Sequence, residues 1–240
     1  MKIAGVVLAA GASQRMGRPK AFLQVRGRPF LTSLLESLGS GGCDPIAAVV
    51  CEPIRAQAAI LCQEQGARLL VNPDPAQGPI SSLRLAIASL AGIAGPGLIS
   101  LPRLAIASLG GIAGPGPISS LRLDTGSVPG IGGLLVLLVD QGTIEPGTVR
   151  AVRLALETSE LAVARHRGVA GHPTGFSARV FSELFSAAAD QGARALLSAR
   201  AGTDRLVFVD VDDPGVGQNL NTPEEYEAFA RPKRDGPRDV

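Results

Sequence analysis

The sequence has no tryptophan, one tyrosine and only 3% aromatic residues, so any core it forms is built from aliphatic side chains. Histidine is scarce, at two residues, and no catalytic triad can be assembled from the pattern. Cys43, Cys51 and Cys62 are odd in number and lack CxxC spacing, which favours reduced cytosolic thiols, used for packing, over disulfides or zinc. Charge is also sparse: 18% of residues are charged and the net value is +2, too small to imply a nucleic-acid or anionic-membrane partner. No apolar window is long enough, without glycine or proline breaks, to span a bilayer. Neither GxxxxGK[ST] nor a GxGxxG after the first apolar run is present, so the two commonest phosphate-binding motifs are excluded.

What remains is a 240-residue chain, 45% hydrophobic, long enough to bury a proper core as one domain or as one domain with a large insertion. Met1-Lys2 followed by a mostly apolar run has the outline of a signal peptide. The run sits at the lower length limit, however, and passes at once into a loop bearing Arg15 and Lys20. A cytoplasmic protein is the expectation.

That loop is the centre of the sequence. The β-branched run from Ile3 to Ala10 breaks at Gly11 and continues through Ala12, Ser13, Arg15 and Gly17 to Pro19-Lys20. Small residues let a phosphate approach the main chain, and successive N–H groups in such a turn form an anion-binding concavity. Arg15 adds a planar fork of donors and Lys20 a mobile point charge. The stretch reads as a triphosphate cradle.

Leu8-Ala9-Ala10-Gly11, Ser13, Arg15-Met16-Gly17 and Pro19-Lys20 together resemble the LAAGxSxRMGxPK signature of the molybdenum-cofactor-type nucleotidyltransferases, with the cytidylyltransferases the nearest branch. The resemblance implies the nucleotide-diphospho-sugar transferase type of fold, a Rossmann-like, mostly parallel α/β sheet with helices on both faces. It implies nucleotide binding by Leu8, Ala9, Ala10, Gly11, Ser13 and Lys20, with Lys20 and Arg15 in the catalytic set.

The chain in order agrees with that layout. Phe30–Leu38 has helical leucine spacing and stops at a Gly-Ser-Gly-Gly run, and Ile46–Cys51 reads as a buried strand. Pro53–Gln65 reads as a helix and Arg68–Val71 as a third strand. This strand-helix alternation predicts a parallel sheet with right-handed crossovers, whose ligands gather beyond the carboxyl ends of the strands. Asn72-Pro73, Gly78 and Ser82 then resemble the family's base-contacting segment, with Pro79 departing from its usual apolar residue. A loop and helix cap without a ligand is the alternative reading of these residues.

GPISSLRL at 78–85 recurs at 116–123, and the longer unit at 84–97 recurs at 103–116 with a period of 19. Two copies are too few for a solenoid. We read a helical tandem-duplication insert within 78–123 of a single domain covering 1–230. Its removal restores both the length usual in the family and the family's spacing from Ser82 to Asp140. The insert's apolar surface leaves self-association open.

LLVLLV at 134–139 is the clearest buried strand, and it ends at Asp140. A carboxylate there suits Mg²⁺, which is held by one or two carboxylates plus phosphate oxygens and waters; a helix-capping Asp is the alternative. Asp140-Gln141 matches the family's Asp-Gln-Pro metal motif, but Gly142 replaces the proline. Gly171-His172-Pro173 resembles the element lining the acceptor side, although a loop-bracing histidine fits equally. Gly192-Ala193-Arg194 matches another family turn. Asn219 in the terminal Asn-Leu-Asn-Thr-Pro segment is expected to give the metal a neutral oxygen. Thr222-Pro223-Glu224-Glu225 is a helix start by its chemistry, and 231–240 reads as a disordered tail.

The resemblance therefore implies an enzyme that moves a nucleoside monophosphate from an NTP to a phosphorylated small molecule with Mg²⁺, releasing pyrophosphate. Ala10, where guanylyl relatives tend to carry glycine, tilts the nucleotide toward CTP and the acceptor toward molybdopterin. GTP or a sugar phosphate is the alternative pairing. A nucleotide-binding protein without catalysis is the other class, motivated by Pro79, Gly142 and the insert.

Overall fold

The computed structural model describes residues 1–11, 13–90, 130–186 and 192–231. The duplicated unit beyond Leu90 and the expected tail beyond Arg231 lie outside the described residues, as does Ala12.

Nine strands are described: β1 (Ile3–Ala9), β2 (Gln24–Val25), β3 (Arg28–Pro29), β4 (Ile46–Val50), β5 (Arg68–Val71), β6 (Gly133–Leu138), β7 (Leu161–His166), β8 (Val169–Ser177) and β9 (Leu206–Asp210). The helices are α1 (Phe30–Ser40), α2 (Arg55–Glu64), α3 (Pro79–Leu90), α4 (Pro146–Ala155), α5 (Phe181–Ser186), α6 (Gly192–Arg200) and α7 (Pro223–Ala230). Seven strands form one sheet in the order β5-β4-β1-β6-β8-β7-β9, and β2 and β3 form a small hairpin. β8 runs antiparallel to both of its neighbours, and every other pairing in the large sheet is parallel.

Alternation along the strands divides the core into two layers. From β1, Ile3, Val7 and Ala9 join Phe30, Leu34 and Leu38 of α1 on one face. Ala4, Val6, Leu8 and Ala10 point the other way, onto Leu83 and Ile87 of α3. β6 does the same, with Leu135 and Leu137 on the first face and Leu134 and Val136 on the second. A strand covered on both sides needs an unbroken apolar sequence, which explains runs such as IAGVVLA and GLLVLL. With few aromatics available, Phe30 anchors the first layer: it is fully buried and packs edge-to-face on Tyr226 and Phe229 of α7, each at 5.9 Å.

The cysteines are free, and burial pushes the Cys43 thiol up to about 12 and that of Cys62 to about 11. Both are packing residues, kept neutral by their apolar surroundings.

The strand the sequence does not announce is β8. Its segment VAGHPTGFS carries two glycines and a proline, the residues least expected inside a sheet. Gly175 stays paired on both sides, and the ladder accommodates Gly171 and Pro173 by breaking. Pairing with β6 ends at Thr174, and the register on β7 shifts between Val163 and Arg165, so Gly171, His172 and Pro173 lie in the gap. Thr174 to Ser177 stay buried between β6 and β7, while His172 is half-buried and contacts the Val136 carbonyl through Nδ1.

Candidate active site

β1 and β6 are parallel neighbours with Leu8 opposite Leu138, so the chain leaves both strands at the same edge. The loop after β1 and Asp140 after β6 therefore face each other. Within the loop, Ser13 adopts a left-handed conformation (φ 47°), Met16 is buried as an anchor, and Ser13 Oγ accepts the Lys20 N–H at 3.3 Å. Arg15 is exposed, whereas Lys20 is buried to 9% exposure.

The Lys20 ammonium sits between two oxygens. It donates to Asn221 Oδ1 at 2.5 Å and lies 3.4 Å from Asp140 Oδ2. Asn221 in turn donates through Nδ2 to Asn219 Oδ1 at 2.7 Å, which fixes its amide with the oxygen toward Lys20. The segment carrying these asparagines is tied down at both ends. The Leu220 N–H donates to the Asp140 carbonyl at 2.8 Å. Thr222 and Glu225 form a capping box at the start of α7, and Glu225 also accepts from the Asn221 N–H at 2.6 Å. Upstream, buried Asp213 accepts from the Glu145 and Gly215 main-chain N–H groups and from Thr148 Oγ1, at 2.8 to 2.9 Å.

Two clefts meet at Asp140. The first, about 520 Å³, is lined by Leu8, Ala10, Gly11, Ser13, Arg15, Lys20, Gly78, Ser82, Leu138, Asp140 and Asn221, among others. The second, about 1060 Å³, runs under β8 and α6, where its walls include Val136, Leu138, Asp140, His172, Arg194 and Asn219. Leu8, Pro79, Leu138 and Asp140 belong to both.

Most residues expected at the site are thus brought together, but not all in the expected places. Ala9 points away from the clefts into the α1 layer. Asn72 is buried and lines neither cleft. Its Nδ2 donates to Ser81 Oγ and Ser82 Oγ at 2.8 and 2.9 Å, and its Oδ1 accepts the Asp74 N–H at 2.9 Å. It braces the start of α3, with Ser82 as the residue that reaches the cleft. Gly78 has φ 80° and ψ −175°, a conformation essentially reserved for glycine, which lets the chain turn into α3. Asn219, expected as a metal ligand, lines the second cleft with its oxygen already bonded to Asn221.

Two residues escape the sequence reading. Asn221 is the asparagine beside Asp140, and only the path of the segment distinguishes it from Asn219. Gln141 is buried, with Oε1 accepting the Leu138 N–H at 3.1 Å and Nε2 donating to the His172 and Val216 carbonyls at 3.4 and 3.3 Å. It ties together the end of β6, β8 and the segment leading to Asn221. Gly142 has φ 72°, which a proline, locked near −65°, cannot adopt. The turn here is therefore one that a proline at 142 cannot make.

His172 Nδ1 lies 3.1 Å from the Val136 carbonyl, which can only accept, so Nδ1 carries a proton and Nε2 is left for other partners. Burial pushes its pKa below the ordinary value, partly offset by the Val136 carbonyl and by the Asp140 charge.

Asp140 and Asn221 offer a carboxylate and an amide oxygen on one cleft wall, both turned to the same cation. That donor set fits a hard divalent ion such as Mg²⁺, which takes few protein oxygens and completes its shell from phosphates and water. Among the described residues, no group of three or more His, Cys, Asp or Glu side chains converges as a metal site, and no helix is long and apolar enough to cross a membrane.

The pattern of the MobA-like NTP transferase domain matches residues 5–103 and 105–216. The chain belongs to this family. Among curated relatives, a probable molybdenum cofactor guanylyltransferase of Synechococcus elongatus is 35% identical over 92 residues, 38% of this chain and 45% of the relative. A nicotine blue oxidoreductase of Paenarthrobacter nicotinovorans is 38% identical over 84 residues, 33% of this chain and 39% of the relative. The matched stretch thus spans less than half the length of either relative. Rv0371c from Mycobacterium tuberculosis, at 24% identity, superposes with a TM-score of 0.67 over 96% of this chain and 98% of its own. Its manganese complex, at 22% identity, gives 0.66 over the same shares. These last two likenesses establish the fold, and the sheet and helices described above are those of the nucleotide-diphospho-sugar transferase type.

Proposed function

We propose that the protein is a metal-dependent nucleotidyltransferase that transfers a nucleoside monophosphate, CMP by preference, from its triphosphate to a phosphorylated small molecule of the molybdopterin type. The single observation that carries this reading is the pair of clefts sharing Asp140: one bearing Arg15, Lys20 and the loop after β1, suited to a triphosphate, the other larger and reaching His172 and Arg194, suited to an organic acceptor. Family membership supports it, and so does the name of the Synechococcus relative.

In this reading the nucleotide lies along Leu8, Ala10, Gly11, Ser13, Gly78 and Ser82, with the main chain at Ala9 and the loop amides cradling phosphate. Lys20 and Arg15 offset the charge of the triphosphate, and Asn72 acts by holding Ser82. Mg²⁺ would be held by Asp140 and Asn221, with Asn219 fixing the Asn221 amide, and would supply charge neutralisation at the α- and β-phosphates. The manganese complex of the Mycobacterium protein supports a divalent-metal reading. His172, with Nε2 available on the second cleft, contacts the acceptor. The acceptor's phosphate oxygen attacks the α-phosphorus in line, the bond to the bridging oxygen breaks, and pyrophosphate leaves. A phosphomonoester is largely ionised at neutral pH, with a second pKa of about 6, so no dedicated base is needed. Positioning and electrostatics carry the reaction.

GTP is the second reading, favoured by the guanylyltransferase name of the Synechococcus relative. Pyrophosphate release from CTP and from GTP, each with molybdopterin and Mg²⁺, tests both. Faster release from CTP supports the proposal, and faster release from GTP replaces it with the guanylyl reading. No release from either, alongside measurable nucleotide binding, would assign the protein to the non-catalytic class.

A further inference from the structure

We infer that in the nucleotide-free protein Lys20 occupies the metal's place, so that the chain holds its divalent ion weakly until a polyphosphate has drawn the lysine away. The inference rests on the metal assignment proposed above. The Lys20 ammonium is in contact with both oxygens to which that ion is assigned, at 2.5 Å from Asn221 Oδ1 and 3.4 Å from Asp140 Oδ2. Its side chain is 10% exposed and that of Asp140 is 22% exposed, so the pair is only partly screened by water. No other cation among the described residues is paired with Asp140.

An ammonium seated on Asn221 Oδ1 and Asp140 Oδ2 competes with a divalent ion there, because it engages lone pairs the ion needs and like charges at contact repel. Metal binding on these two atoms therefore works against the seated Lys20, and moving the ammonium away costs it both of the contacts described above. A triphosphate changes that balance. Exposed Arg15, which has no ion pair among the described residues, meets the incoming phosphates, and Lys20 can then swing to them on its flexible four-carbon stem. The carboxylate and amide are released to the metal at the moment when phosphate oxygens arrive to complete its shell. A preferred order of uptake, nucleotide before metal, is built into one side chain.

A protein whose binding-competent state is populated at a fraction f shows an affinity reduced by that fraction, so a lysine seated nine-tenths of the time lowers metal affinity roughly tenfold. The test is Mn²⁺ binding by electron paramagnetic resonance, which needs no turnover, on the wild type, Lys20→Met and Lys20→Gln, without nucleotide. Thermal melts of each variant verify folding, and the two substitutions guard against failure of either one. We expect the free wild type to bind Mn²⁺ weakly and both variants to bind it roughly tenfold more tightly or better, a gain that Asp140→Asn in the Lys20→Met background removes. Equal or weaker Mn²⁺ binding by folded Lys20 variants would overturn the inference while leaving the metal site standing. A gain that survives Asp140→Asn would place the ion elsewhere and overturn it too. Absence of Mn²⁺ binding in every protein, with and without a non-hydrolysable CTP analogue, would overturn the metal assignment itself.

Discussion

Lys20 Nζ donates to Asn221 Oδ1 at 2.5 Å, joining two residues 201 positions apart and closing the loop after β1 onto the segment before α7. The contact turns the Asn221 oxygen to the cation that Asp140 also meets, while Asn219 lines the second cleft with its oxygen bonded to Asn221. Asn221→Ala is expected to lower kcat/KM for nucleotidyl transfer by about 10²-fold or more, the scale of losing one preorganised charge-stabilising group. Asn219→Ala should cost less, because it removes only the group that orients the Asn221 amide. Steady-state kinetics of the two variants side by side checks this, and a larger loss in Asn219→Ala would restore it as the metal ligand.

Asn72 acts on the first cleft only through Ser82. Asn72→Ala leaves the Asp74 N–H without its acceptor and the two serines without a donor, and is expected to cost about 1–3 kcal/mol of stability in urea denaturation. Its effect on nucleotide affinity should not exceed that of Ser82→Ala. A larger effect would mean that Asn72 touches nucleotide itself.

Gly142 is where this chain carries glycine in place of the family's proline. Restoring proline is expected to destabilise the protein by about 3 kcal/mol or more, because φ here is positive and proline cannot adopt it. The added ring would also press on Phe30, Leu220 and Phe229, which already lie 3.2 to 3.4 Å from where a Cβ would stand. Unchanged melting temperature in Gly142→Pro would show that the turn can take the other path.

His172 has a folded-state pKa below its ordinary value. The unfolded chain therefore binds the proton more readily, so stability is full above the unfolded value of about 6.5 and falls as pH drops from there through the lower folded value. An NMR titration of its ring protons, assigned with His172→Gln, should give a midpoint below 6.5, and His172→Gln should flatten this part of the stability profile. A midpoint at or above that of a free histidine would contradict the burial argument.

The first strand, the loop after it and Asp140 were readable in the sequence for one physical reason. A strand buried on both faces must be an unbroken apolar run, and a glycine-rich loop or a lone carboxylate stands out at its end. β8 was unreadable because the same logic fails there: Gly171, His172, Pro173 and Gly175 break an apolar pattern, and although Gly175 stays paired on both sides, the ladder opens between Thr174 and Ala170 to take the other three. Gly171 is needed because any Cβ would collide with the Val216 carbonyl, a contact between distant segments that no local pattern encodes. Gln141 and Asn221 were missed for a related reason. Gln141 is one residue and Asn221 two residues from one that was expected, and only the path of the backbone decides what each side chain meets.

Asp140 is proposed above to hold a divalent ion that binds together with nucleotide in the first cleft. Equilibrium binding of CTP to the wild type and to Asp140→Asn, each with and without Mg²⁺, tests it most directly. The account predicts CTP binding that Mg²⁺ strengthens in the wild type, with that strengthening reduced roughly tenfold or lost in Asp140→Asn, as expected for removal of a charged ligand. CTP binding that is indifferent to Mg²⁺ and the same in both proteins would contradict it.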